Sequence, residues 1–124
     1  MITRINGIPD NMVGFRATGI VNKEDFEAIV LPAVKKLVDS YDELNYLMII
    51  DTDLKNFSIG AWWADMVLGI KQFAHWNRVA IISSEEGVRK FTDIFSVVVP
   101  GEFKGYDPTQ LEDAIHWVSG KANA

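Results

Sequence analysis

Five apolar or aromatic residues run unbroken from Tyr46 to Ile50 and stop at Asp51. A strand that alternates can face water on one side. An unbroken run of this length has to be covered on both, as in the parallel or mixed sheets of α/β proteins. Asp51, Thr52 and Asp53 end the run, because short polar side chains bond nearby backbone and favour turns. After Leu54–Phe57, Ser58 can cap a helix by accepting from the free amides of its first turn. Ile59, Trp62, Trp63, Met66, Val67, Ile70, Phe73 and Ala74 then recur at helical spacing. The opposite face offers Asp65, Lys71 and Gln72 among Ala61, Ala64, Leu68 and Gly69, which is thin for a helix face in water.

The flanking segments supply the rest of such a fold. Ile2–Ile5 and Met12–Val21 read as two strands joined by the turn Gly7-Ile8-Pro9-Asp10-Asn11. Asn22 caps a helix running to about Ser40, with Asp25 near the positive end of its dipole. Its expected buried face is Phe26, Ile29, Val30, Ala33, Leu37 and Tyr41. Pro32 removes a backbone donor there, which predicts a kink or a break into two segments. Arg78–Ile82 is a second short apolar strand, and Ser83 with Glu86 matches a capping box opening a third helix. Val88, Phe91, Thr92, Phe95 and Val98 share a face of that helix, and Pro100-Gly101 stops it. Glu102–Tyr106 reads as an edge strand. Asp107-Pro108-Thr109-Gln110 starts a last helix that buries Leu111, Ala114, Ile115 and Val118 and closes at Gly120. The predicted order is ββαβαβαβα. It implies one α/β domain over residues 1–124, with a mixed, mostly parallel sheet of about five strands packed by about four helices.

Composition narrows the function classes. The net charge of −5 argues against nucleic-acid binding driven by phosphate neutralisation. With no cysteine, disulfides and thiolate sites are excluded. The segment MITRING has no apolar signal core, and no apolar run approaches the roughly 18 residues of a membrane span. A soluble cytoplasmic protein is the expectation. The acidic excess is uneven: residues 1–54 carry nine acids against five bases, whereas residues 55–105 carry five against six. The aromatic-rich middle is close to neutral.

No catalytic, metal or cofactor constellation is expected. Asp51 and Asp53 flank a strand end, where α/β folds place ligands, but spacing supplies no third ligand for a cation and an Asx-type turn explains both. His75 has no ligand-type residue one helical turn away, and His116 faces Glu112 and Asp113 in an ordinary surface pairing. A Ser58–His75–Asp51 triad fails on distance, since Ser58 and His75 sit roughly 25 Å apart along one helix at 1.5 Å per residue. Neither a Gly-x-Ser-x-Gly elbow nor a phosphate-binding glycine loop is present.

Several stretches together resemble the SpoIIAA-like family, which shares the STAS fold of bacterial anti-sigma-factor antagonists and of sulfate-transporter cytoplasmic domains. They are VGFRATGIVNKEDFEAIVLPAVKKL, LMIIDTDLKNF, AWWADMVLGIKQF, NRVAIISSEEGVRKFTDIF and DPTQLEDAIHWV. The resemblance covers nearly everything from Val13 onward. It implies a small non-enzymatic module with an apolar ligand cavity or membrane contact near the central helices. In the anti-sigma antagonists a serine at the start of the helix after the central strand is phosphorylated by a partner kinase. Ser58 matches by position and is the candidate phosphosite, with Gly60 near the motif's glycine; the Asp-Ser pair of that motif is absent here.

The residues point the same way. Trp62, Trp63, Leu68 and Phe57 cannot all face one sheet, and contiguous exposed apolar surface marks a partner, ligand or membrane. Tryptophan suits a water–lipid boundary. The expected contact set is therefore Phe57, Trp62, Trp63, Met66, Phe91, Phe95 and Val98. Its occupant is an apolar small molecule or lipid, with peripheral contact to the inner membrane, a protein partner or a second copy of the chain as alternatives. Gly60, Gly69 and Pro100-Gly101 are expected to let these helices shift apart.

Overall fold

The computed structural model describes residues 1–52, 76–84 and 102–120. Strands β1 (Ile2–Arg4) and β2 (Val13–Thr18) form the expected antiparallel hairpin, with Ile2 opposite Ala17 and Arg4 opposite Phe15. Gly7 takes φ 76° in the connecting turn, a conformation that a Cβ would strain. β2 is shorter than the expected strand Met12–Val21, ending where Gly19 turns the chain at φ 59°.

β3 (Leu44–Asp51), β4 (Trp76–Ile82) and β5 (Glu102–Tyr106) complete a five-stranded sheet in the order β1-β2-β3-β4-β5. The last four strands run parallel, as Val13 pairs Tyr46, Tyr46 pairs Val79 and Val79 pairs Phe103. The architecture is the mixed, mostly parallel sheet expected from the pattern. β3 begins two residues earlier than its unbroken apolar run, and its residues Leu44–Ile50 are all buried.

The first helical region breaks near Pro32, as its missing donor predicts. A single α-turn, α1 (Lys23–Asp25), leads into a wider π-turn over Phe26–Val30, and α2 (Leu31–Tyr41) starts afresh with Pro32 in its first turn. There the absent N–H would be unpaired in any case. Asn22 caps the start reciprocally: Asp25 N–H donates to Asn22 Oδ1 at 3.0 Å and Asn22 N–H to Asp25 Oδ2 at 3.1 Å. The π-turn inserts residues out of α-helical phase and so rotates the buried face. Val30, Ala33 and Leu37 are buried as expected, joined by Val34 and Val38, but Ile29 is 39% and Tyr41 46% exposed. Helical periodicity places both inside.

Two cores flank the sheet. On one face Phe15, Tyr46, Met48, Val79 and Ile81 pack with Val30, Val34, Leu37 and Val38. On the other, Leu47, Ile49, Ala80, Ile82 and Tyr106 meet α3 (Leu111–Ser119) through Ala114 and Val118, with Leu111 and Ile115 partly buried. A short 3₁₀ turn, Pro108–Gln110, precedes α3 and carries the expected capping box: Asp107 accepts from Thr109 N–H and Gln110 accepts from Asp107 N–H, each at 3.0 Å. Gly120 closes α3 at φ 72°. The two further helices expected after Ser58 and after Ser83 fall on residues outside the described ones. No helix among the described residues is long and apolar enough to cross a membrane.

Candidate functional site

Parallel pairing brings the carboxyl ends of β2, β3, β4 and β5 to one edge of the sheet, the side where open α/β sheets bind ligands. Thr18, Asp51, Ile82 and Tyr106 end the four strands. Asp51 leaves β3 exposed and meets Arg16 of β2, Nη1 to Oδ2 at 3.3 Å. Both side chains are well solvated, so the pair fixes orientation more than it stabilises. The Thr52 hydroxyl donates to the Gly19 carbonyl at 2.8 Å, tying the turn after β3 to the turn after β2. Ser83, buried after β4, donates its N–H to the Tyr106 carbonyl at 3.0 Å. The chain continues from Thr52 and from Ser84 with residues 53–75 and 85–101, which carry the expected contact set.

Phe57, Trp62, Trp63, Met66, Phe91, Phe95 and Val98 all lie outside the described residues, as do Ser58, Asp53, His75 and the glycines proposed as hinges. Asp51 is engaged by an arginine. No group of three His, Cys, Asp or Glu side chains suited to a metal occurs among the described residues. His116 Nε2 stands 3.8 Å from Glu112 Oε2 one helical turn away, the surface pairing its spacing suggests.

The opposite, amino edge of the sheet holds polar structure that the sequence did not single out. β4 carries one extra residue against β3, since Leu44 pairs Trp76 while Asn45 pairs Arg78. Such a bulge re-aims a side chain, and here Asn77 Nδ2 donates to Asn45 Oδ1 at 2.7 Å. Asn45, buried at 1% exposure, donates to the Asn11 carbonyl at 2.9 Å, and Asn11 Nδ2 reaches the Ser119 carbonyl at 2.8 Å. The ladder pins the hairpin loop, the start of β3 and the end of α3 together.

Beside it, Arg78 Nη1 donates to the Trp117 carbonyl at 2.6 Å, Nε meets Glu102 at 3.1 Å, and the guanidinium lies 5.3 Å from the Trp117 ring centroid. A cation on a terminal helix carbonyl complements the helix dipole. Lys104 lies 5.2 Å from the Tyr106 ring and 5.8 Å from that of Trp117. These cations are occupied in holding α3 against β4 and β5. No signal in the sequence pairs Arg78 with Trp117, because the contact depends on how α3 returns across the sheet.

The model of the SpoIIAA-like family matches residues 12–119. Among solved structures, the chain is similar to an uncharacterised protein of the DUF3478 family with a SpoIIAA-like fold from Shewanella loihica PV-4. The two share 27% identity over 95% of this chain and 92% of that one, with a TM-score of 0.65. A search of curated proteins finds no match.

Proposed function

The chain belongs to the SpoIIAA-like family, and on that footing we propose that it is a non-enzymatic binding module with the fold of regulatory STAS domains. In this reading it takes an apolar ligand, lipid included, through Phe57, Trp62, Trp63, Met66, Phe91, Phe95 and Val98. One observation carries the reading. β3 and β4 are parallel neighbours that end at the same sheet edge, and the segments continuing from those two ends hold the whole apolar set. That edge is where α/β folds place ligands. The near-neutral charge of the segment in an acidic protein supports the same assignment.

Vesicle flotation tests it. Wild type is expected to float with neutral and with anionic vesicles alike, while a Trp62→Ala, Trp63→Ala double variant stays with the soluble fraction. Failure of wild type to float with either lipid removes the membrane from the reading and leaves a soluble apolar ligand, a protein partner or a second copy on the same residues.

Family membership also favours a second reading, a protein–protein switch of the anti-sigma-antagonist type acting on a kinase-like partner through Ser58. A phosphate at a helix start is favoured by the dipole. Intact-mass analysis of protein from its native cell decides: a phosphoform lost in Ser58→Ala supports the switch, and none under several growth states removes it.

A further inference from the structure

A groove of about 500 Å³ runs between the outer edge of β1 and the π-turn with the start of α2, lined by Ile2, Arg4, Ile29, Pro32, Ala33 and Lys36. Its volume lies in the range of binding clefts. β1 is the edge strand, and its hydrogen bonds show which backbone groups the edge presents. Thr18 N–H donates to the Met1 carbonyl at 2.9 Å, and Ile5 N–H to the Gly14 carbonyl at 2.8 Å. Antiparallel strands alternate, so Met1, Thr3 and Ile5 turn inward to β2, while Ile2 and Arg4 turn their amides and carbonyls outward. The same alternation sets the Ile2 and Arg4 side chains on the α2 face, opposite Ala17 and Phe15. Arg4 and Lys36 are exposed, and no ion pair among the described residues engages either one. In a chain of net charge −5, the charges lining this groove among the described residues are two cations, with Asp10 in the adjoining depression that both also line.

We propose that this groove docks an extended acidic segment of a protein partner, which adds to β1 as a further strand. The segment's backbone bonds the outward groups of Ile2 and Arg4, as in other strand-addition sites. Its side chains alternate, so one apolar residue enters the trough beside Ile29, Pro32 and Ala33, and a carboxylate two positions away meets Arg4 and Lys36. The recognised pattern is apolar-x-acidic, in an order set by the direction of the added strand. A second copy of this chain fits poorly, because its own β1 would bring Arg4 and Lys36 against the same cations, and like charges on edge strands keep copies apart. The lining residues belong to none of the apolar contact set, and the proposal stands or falls independently of the apolar-ligand reading.

The test titrates the isotope-labelled full chain with two peptides, Ser-Thr-Val-Thr-Glu-Thr-Ser and its reversed sequence, following backbone amides by NMR. Saturable shifts of the Ile2 and Arg4 amides with at least one peptide are expected, together with slower hydrogen exchange at Arg4. Replacing Glu in the peptide by Lys should weaken binding at least about tenfold. Arg4→Gln should weaken it about two- to fivefold, the range for an exposed charge pair. Arg4→Pro, which also deletes the outward amide while leaving the β2 bonds intact, should abolish it. If that variant misfolds, Lys36→Glu on α2 and Arg4 exchange in wild type carry the test. The proposal is overturned if neither peptide gives saturable β1 shifts at millimolar concentration. It is equally overturned if Arg4→Pro binds as well as Arg4→Gln, or if decanoate shifts Ile29 and Ala33 while the peptides do not.

Discussion

Tyr46 carries the sharpest residue-scale consequence. Its side chain is fully buried against Phe15, ring centroids 5.6 Å apart, and its hydroxyl has no hydrogen-bond partner among the described residues. A buried hydroxyl without a partner costs about 1–3 kcal/mol relative to its hydrated state. Tyr46→Phe is therefore expected to keep or raise stability, by up to about 2 kcal/mol, in urea unfolding at neutral pH; a loss above about 1 kcal/mol would show that the hydroxyl is satisfied. Burial also pushes the Tyr46 hydroxyl well above its ordinary pKa of 10.0. The folded chain then holds this proton where the unfolded chain has lost it. Any contribution is fully present below pH 10 and drains away as pH rises toward the folded pKa. Tyr46→Phe should flatten the decline in stability between about pH 10 and 11, which at its steepest amounts to about 1.4 kcal/mol per pH unit for one group. An unchanged slope would assign that decline to other groups.

Elements differ in how openly the sequence announces them. The last helix was legible to the residue, because Asp107, Pro108, Gln110 and Gly120 each act through local backbone chemistry. Gly120→Ala should cost about 1–2 kcal/mol, since a Cβ at φ 72° is strained and would gain an ordinary contact with Arg78 Nη1 at 3.9 Å; thermal unfolding measures it, and a neutral result would mean that the end of α3 frays without penalty. The break at Pro32 was equally legible, but its form was not. A π-turn in place of a simple kink shifts helical phase, which puts Ile29 outward, while Tyr41 is exposed as the last residue of α2 and Val34 and Val38 share the face of Ala33 and Leu37. Periodicity alone assumes one phase throughout a helix. The strands' existence and parallel core were readable from unbroken apolar runs, whereas the Asn11–Asn45–Asn77 ladder required a bulge that no local pattern marks. The expected contact set, Phe57 to Val98, follows from the surplus of apolar side chains in the sequence and lies outside the described residues. The β1 groove is not legible in the sequence, because a strand edge and an exposed pair of cations leave no trace in hydropathy.

At the scale of the whole molecule, β3 belongs to both cores, sending Tyr46 and Met48 to one layer and Leu47 and Ile49 to the other. Damage to either layer should therefore be felt by the entire sheet. Leu47→Ala and Val34→Ala, on opposite faces and both fully buried, are expected to cost about 2–5 and about 1–3 kcal/mol. Each should lower the hydrogen-exchange protection of β2, β3 and β4 together; loss confined to one layer would mean that the layers open separately. The strand order has a temporal meaning as well. Because each strand pairs with the one made just before it, the sheet can grow in the order in which a ribosome releases it. No early strand has to leave a gap for a later one to fill. Nascent chains halted beyond Ile82 would already hold β3 between two neighbours, so the strand with the longest apolar run is shielded before the last strand is made.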